Sequence, residues 1–498
     1  MKNNLTYFIS TLILILLTLP SASFAKIEVK KHVLDNGLTI LLFEEHQSPV
    51  IACRLFYTTG SVHEAPGFTG IAHMLEHMLF KGTKKVGITD SLADQAFIRK
   101  IDSIIAIQKK LDPEKDSLGV SRIHNTYDSL LTEQRKLFVK DELWSTYLKA
   151  GGSGLNAFTS DLMTAYFVTL PKNKMELFLW LESDRMQNAI LREFYPERDV
   201  VMEERRMRYE DSPLGRYWET LIGMFYEAHP YRQPTIGYAS DIKHYTREMA
   251  EEHYRKFYSP NNAILVLAGD FTPEPALQQI KKYFGTISKG EKQIEVVTRE
   301  PEQVGAKNLT VHKNEAQPRL DIMFHTPGVP HKDIYALEIV EGVLSGKSGR
   351  LYRELVTRQK LALSASAGNQ PDKYHSMFHI SAGLGADPNA DSVETLIWKE
   401  LDSLKSTPIS SRELQRVKNQ VTARTLRELR SMEHLATRLA FFELWNSWEL
   451  INIYPEEVDK ITAKQVQEVC NRYFLKKKST TGLVLPETVT SLKKKTEK

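Results

Sequence analysis

Cysteine is scarce in this chain: Cys53 and Cys470 are the only two among 498 residues. Two thiols cannot make a disulfide framework, and nothing in the sequence requires them to pair. A surplus of charge is missing as well. Lys and Arg number 66 against 62 Asp and Glu, a formal +4, too near balance to make nucleic acid the partner. The apolar run Leu5–Leu19 is broken by small polar residues and is short for a membrane span. With Lys2 before it and Ser23-Phe24-Ala25 after it, residues 1–25 read as a secretory signal. No cysteine follows to carry a lipid. The expectation is export to a bacterial periplasm, with no stable membrane insertion once the signal is cut. That leaves 498 − 25 = 473 residues, enough for two domains with sizeable cores.

What is present is an order of strands and helices laid out twice. Two β-rich runs around Asp35-Asn36-Gly37 predict a hairpin over Ile27–Glu45, and Val50–Thr58 a third strand. From about 90 to 148 the pattern turns helical and charged, a long helical hairpin. Strands return at 151–159 and 163–170. Helices follow at 174–191, 196–210, 215–227 and 247–258, then a buried strand at 262–271 and a helix at 273–284. Polar residues 288–305 read as a linker between a first domain (26–287) and a second (306–486). The second restarts with strands near 309–312 and 319–324 and a helix at 333–344. Strands at 363–368 and 375–383, long helices at 392–404, 411–448 and 455–474, and a strand at 480–485 complete it. Residues 487–498, with Lys493-Lys494-Lys495, form a basic tail. The repeated order reads as a degenerate internal duplication.

One stretch carries chemistry. Gly70-Ile71-Ala72-His73-Met74-Leu75-Glu76-His77-Met78-Leu79-Phe80 predicts a short, largely buried helix, with Thr69 as its N-cap and Gly82 as its stop. His73 and His77, four apart, project from one face, and Glu76 stays on that face. Two imidazoles one turn apart are a common zinc-binding arrangement, and a neighbouring carboxylate can take a proton from water at the metal. H-x-x-E-H is the inverted zinc-peptidase motif. The competing reading is a core helix whose histidines are satisfied by carbonyls. A chance occurrence is expected in only about 3 in 100 such chains. A catalytic zinc wants a third protein ligand and an open position. Pro196–Arg206 is the best source: Glu197 and Glu204 lie two turns apart on one face, while Glu203 is rotated from Glu204 by about 100°. An ordinary charged surface helix remains the alternative there.

Together these segments resemble the insulinase/pitrilysin family of zinc metallopeptidases, in its mitochondrial-processing-peptidase-like branch. The resemblance runs from Asp35-Asn36-Gly37 through Thr59-Gly60-Ser61, the histidine helix and Lys81-Gly82-Thr83. It continues through Leu155-Asn156-Ala157-Phe158-Thr159, Glu197 to Glu204, His229-Pro230-Tyr231 and Tyr258 to Asn262. It implies an α+β fold of two related halves, each a mainly antiparallel sheet covered by helices, closing around unfolded peptides. It implies one zinc per chain on His73, His77 and Glu204, with Glu76 as general base and Glu197 orienting the site from behind. Asn156 and Ala157 would lie on an edge strand that pairs with a peptide substrate. Two departures stand out. From 78 to 203, 126 residues separate His77 from Glu204, about fifty more than the family's usual spacing; the helical hairpin at 90–148 accounts for them as an insertion. Active relatives also carry an Arg and, seven later, a Tyr in the second half, where this chain has Val356 and Leu363. Neither can hydrogen-bond a substrate carbonyl. The chain is thus expected to be the zinc-bearing subunit of a two-subunit endopeptidase, its homologous partner supplying the Arg/Tyr pair. The alternative is a non-catalytic peptide-holding or assembly subunit.

Overall fold

The computed structural model describes residues 26–112, 114–292, 295–314 and 316–487. The expected signal segment and the tail beyond Glu487 lie outside them. Six strands, β1 (Lys30–Val33), β2 (Thr39–Glu44), β3 (Val50–Tyr57), β4 (Ser153–Thr159), β5 (Thr164–Pro171) and β6 (Ala263–Gly269), form one sheet in the order β1-β2-β6-β3-β5-β4. Five more, β7 (Lys307–His312), β8 (Arg319–Pro327), β9 (Ala362–Gln370), β10 (His375–Leu384) and β11 (Ser479–Leu485), form a second in the order β7-β11-β8-β10-β9. Leaving out β1, the two orders correspond strand for strand. Each holds one parallel pair in the same place, β2/β6 and β7/β11, and is otherwise antiparallel. The halves are related and the fold is α+β, as the repeated order implies.

The first half carries α1 (Ile71–Met78), α2 (Ser91–Gln108), α3 (Ser117–Arg135), α4 (Glu142–Lys149), α5 (Met175–Asn188) and α6 (Phe194–Arg205). Then come α7 (Gly215–Phe225), α8 (Ala239–His244), α9 (Arg247–Phe257) and α10 (Pro273–Phe284). The second half carries α11 (Asp333–Leu344), α12 (Ala390–Ser406), α13 (Ser411–Glu428), α14 (Met432–Trp445), α15 (Leu450–Lys460) and α16 (Ala463–Tyr473). The helix read as continuous over 411–448 is two, because the Ser431 hydroxyl caps a new start by accepting from His434 N–H. The one read over 455–474 is also two, separated by a reciprocal Thr462/Gln465 cap, and Pro455 lies inside α15 rather than at a start. The short α8 has no counterpart in the sequence reading.

β3 has almost no polar alternation because both its faces are covered. Ile51, Cys53, Leu55 and Tyr57 join a core with α1 and α5, while Ala52 and Phe56 join one reaching α14. Each half lends a helix to the other's sheet. α14 lies over β3 and β6, where Phe441 stacks on Phe158 of β4 at 6.2 Å. α7 lies over β7 and β11 and reaches β8, where Asp321 accepts from the Tyr217 hydroxyl at 2.6 Å and His325 bonds the Phe225 carbonyl at 3.0 Å. The predicted hairpin turn is pinned from outside: Asn36 Nδ2 donates to the Phe284 and Ile287 carbonyls at 2.8 and 2.9 Å. Gly37 takes φ +90° where a Cβ would meet Asn261 at 2.6 Å. Cys53 and Cys470 are free and buried.

Candidate metal centre

The N-cap of α1 is Gly70, not the expected Thr69. Gly70 takes φ +89°, and a Cβ there would meet the Ile236 carbonyl at 2.2 Å. The Thr69 hydroxyl is turned away, donating to Asp241 at 2.7 Å. The helix amides are met instead by buried Glu64, whose two oxygens accept from Gly70 N–H at 2.6 Å and Ala72 N–H at 2.8 Å. No local pattern marks Glu64 in the sequence, since it reaches its partners across a loop.

On α1, His73 is buried and His77 half-buried, with ring centroids 4.8 Å apart. α6 brings Glu204 to both: its Oε2 lies 3.8 Å from His73 Nε2 and 3.3 Å from His77 Nε2. Ligands about 2.1 Å from a tetrahedral zinc stand about 3.4 Å apart; these two separations are close to that, and all three donor atoms lie within 4.8 Å of one another. Among the described residues no other set of three His, Cys, Asp or Glu converges in this way. Glu197, two turns before Glu204, accepts from His77 Nδ1 at 2.9 Å, while its other oxygen meets Lys81 Nζ at 2.6 Å. Glu203 points away and pairs with Arg206. His73 Nδ1 is buried without a hydrogen-bond partner among the described residues. α6 begins at Phe194 rather than Pro196, and beyond Arg205 it widens into a π turn over Arg206–Glu210, Asp211 N–H reaching the Arg206 carbonyl at 2.8 Å. That turn aims Arg208 back at Glu204 Oε1, 2.6 Å away.

The electrostatics follow from these contacts. Burial, helped by His77, depresses the His73 pKa to about 4, leaving a neutral ring. Burial also opposes charge on His77, but the Glu197 and Glu204 carboxylates outweigh it and raise its pKa to about 9. Burial disfavours charge on Glu197 too, yet His77 and Lys81 bring it down to about 2. Glu204 is lowered, first by its hydrogen bond to His77. Glu76 is raised by burial against the opposing Thr159 hydroxyl, which donates to its Oε2 at 2.6 Å. A carboxylate raised toward neutrality is suited to accept and return a proton.

Thr159 ends β4, the outer strand of the first sheet, so the edge bearing Asn156 and Ala157 is open on one side. Asn156 pairs with Phe167 and Ala157 with Tyr166 on β5, and Asn156 Oδ1 accepts from Ala157 N–H at 2.9 Å. In the second half, Val356 lies in a π turn over Tyr352–Arg358, packed against the core, and Leu363 on β9 is 65% exposed. Arg358 pairs with Glu354.

A two-halved α+β chain with an inverted zinc-peptidase motif facing a glutamate is a recognisable class, and comparison places it. A model described as Insulinase (Peptidase family M16) matches residues 39–96, and one described as Peptidase M16 inactive domain matches 244–421. Zinc protease PqqE of Helicobacter pylori is 28% identical over 482 residues, 95% of this chain and 97% of that one. The crystal structure of a protease from Helicobacter pylori superimposes with TM-score 0.78 at 27% identity, covering 93% of this chain and 100% of the other. The first half of the periplasmic protease PqqL from Escherichia coli gives TM-score 0.71 at 18% identity, covering 95% of each. The chain belongs to the insulinase (M16) family.

Proposed function

We propose that the chain is a zinc-dependent endopeptidase acting on peptides or unfolded segments, as the zinc-bearing member of a two-subunit enzyme. The observation that carries this is the meeting of His73, His77 and Glu204 within 4.8 Å, from helices separated by a long insertion. These three residues would hold zinc, which when bound supplies Lewis-acid polarisation of a peptide carbonyl and makes water more acidic. Glu76, raised by burial and oriented by Thr159, takes the proton from the attacking water and returns it to the leaving amine. Glu197 fixes the His77 ring from behind. The open edge at Asn156 and Ala157 holds an extended peptide through main-chain hydrogen bonds, tolerating many side chains. No helix among the described residues is long and apolar enough to cross a membrane. Together with the signal-like residues 1–25, this supports a place in the periplasm, where the relative PqqL is named as acting.

Val356 and Leu363, at the positions of the family's Arg and Tyr, favour dependence on a partner, and equally a second reading as a peptide-holding subunit. Zinc content and cleavage of a quenched fluorescent peptide decide between them. The enzyme reading expects one zinc per chain, weak cleavage alone and strong cleavage with a homologous chain bearing Arg and Tyr but no H-x-x-E-H. Zinc bound without cleavage under either condition supports the holding role. No zinc at all overturns the metal-centre reading.

A further inference from the structure

The inserted helices α2 and α3 do not hang free of the metal centre. Asp94, on the first turn of α2, is fully buried. Its Oδ1 accepts from Gln134 on α3 at 2.7 Å, closing the hairpin, and its Oδ2 lies 3.1 Å from Arg192 Nε. Arg192 is itself 2% exposed, and Asp94 is the carboxylate it pairs with. The rest of the guanidinium is spent on three backbone carbonyls of one loop: Lys81 at 2.6 Å, Thr83 at 2.7 Å and Val86 at 3.2 Å. That loop leaves α1 directly after the histidines and carries Lys81, whose Nζ holds Glu197, which in turn holds His77. A second set of ties grips the start of α6, which presents Glu197 on its first turn. Arg135 of α3 pairs with Glu193 at 2.7 Å, and Asp102 of α2 meets the Tyr195 hydroxyl at 3.4 Å while pairing with Arg247.

We propose that the inserted hairpin is a brace for the zinc site, with Asp94 a positioning residue that acts on His77 through Arg192, the 81–86 loop and the Lys81–Glu197 pair. The inference rests on the reading of His73, His77 and Glu204 as a zinc site. Its physical basis is that a buried guanidinium keeps its geometry only while its charge is compensated. Remove that compensation and the three carbonyls lose a common anchor. Lys81 and Glu197 then lose register with His77, and groups behind a metal-bound histidine set metal affinity by about 10- to 100-fold.

The test is zinc affinity of the full-length chain by competition with a chromogenic chelator, with far-UV circular dichroism of the metal-free protein alongside. Asp94→Asn is expected to weaken zinc binding about tenfold, an indirect effect at the lower end of that range. Asp116→Ala, which removes the cap at the far tip of the hairpin, is expected to leave affinity within twofold. Lys81→Met should also weaken binding, and adding Asp94→Asn to it should do nothing further, because the two act in series. Wild-type affinity in Asp94→Asn overturns the proposal, as does a loss of the same size in the Lys81→Met background, which would mark general loosening. Should Asp94→Asn fail to fold, Asp94→Asn with Arg192→Met removes both buried charges and reads instead; unchanged affinity in that pair overturns the brace. A wild-type chain that binds no zinc sinks the zinc-site reading itself, a result distinct from all of these.

Discussion

Glu64 offers the sharpest stability prediction. Replacing it with Ala leaves Gly70 N–H and Ala72 N–H without partners at a buried helix start. Each orphaned buried amide costs about 1–3 kcal/mol. Allowing for some water entry, the first turn of α1 should lose about 2–4 kcal/mol of local stability, which is about 30- to 1000-fold faster amide exchange in segment 70–76 of the metal-free chain. Glu64→Gln keeps one acceptor and turns an NH2 toward the other amide, so its exchange should fall between wild type and Ala. Burial raises the Glu64 pKa to about 8, against the backbone amides that favour its charge. Its folded value lies above the unfolded one near 4.3. Its contribution is therefore complete below about 4.3 and lost as pH rises through about 8. Glu64→Gln should remove that part of the pH dependence. Exchange in segment 70–76 within threefold of wild type for Glu64→Ala would show that Glu64 does not cap this helix, and the reasoning would be wrong.

Other expectations follow from the same contacts. Glu197→Ala takes away the partner of His77 Nδ1 and should weaken zinc binding about 10- to 100-fold in chelator competition, with Glu197→Gln losing less; equal affinity for all three would count against its role. Glu76→Gln should keep zinc and lose cleavage by at least about 100-fold in kcat; retained cleavage would remove Glu76 as base. His253 is pushed down to about 3 by burial, with His63 adding to it, and His63 is pushed down to about 4 by burial. Their folded values lie below an unfolded value near 6.5, so the folded chain binds fewer protons and stability falls as pH drops from about 6.5 toward 4. His253→Gln should flatten that acid limb in a plot of Tm against pH, and an unchanged slope would refute the assignment.

What could be read in the sequence depended on how local each signal is. α10 and α11 were legible to the residue, because Pro273, Phe284, Asp333 and Leu344 bound clean apolar periods. The breaks at Ser431 and Thr462 were not, since apolar periodicity runs through both and the hydroxyl caps interrupt it without a Gly or Pro. The rings of His73 and His77 share a face by helical geometry alone, so their meeting was fixed within eight residues. Glu204 was different: spacing made it one of two candidates, and three-dimensional approach across the intervening helices and strands is what brings its Oε2 to both rings. The roles of Arg192 and Glu64 had no periodic or motif signature, because each acts on backbone groups across a loop, and Lys81, though part of the Lys81-Gly82-Thr83 run, takes its role only from meeting Glu197 of another helix.

The second half shows how a duplicated fold carries a candidate metal centre in one copy and, among the described residues, not in the other. α11 follows β8 as α1 follows β3, and it faces the outer strand β9 as α1 faces β4. On α1, Glu76 accepts from Thr159 at the end of β4; on α11, Glu341 accepts from Asn369 N–H of β9 at 2.9 Å. Three residues earlier on each helix stands His73 in one half and Glu338 in the other. Glu338 pairs with Arg424 of α13 and accepts from the Tyr454 hydroxyl at 2.9 Å. The second copy therefore keeps a helix-borne acidic site and neutralises it with a guanidinium supplied by its own fold. A site closed by an internal cation needs no ion to hold its helices together, and nothing then maintains imidazoles there. The first copy has no such arginine between its rings: Arg208 reaches the far oxygen of Glu204 and leaves Oε2 to the two imidazoles. Replacing Arg424 with Met should accordingly strand Glu338 beside Glu341, whose pKa burial and that neighbour already raise to about 7. The second half should then lose stability as pH rises through the carboxylate range while zinc affinity of the first half stays unchanged.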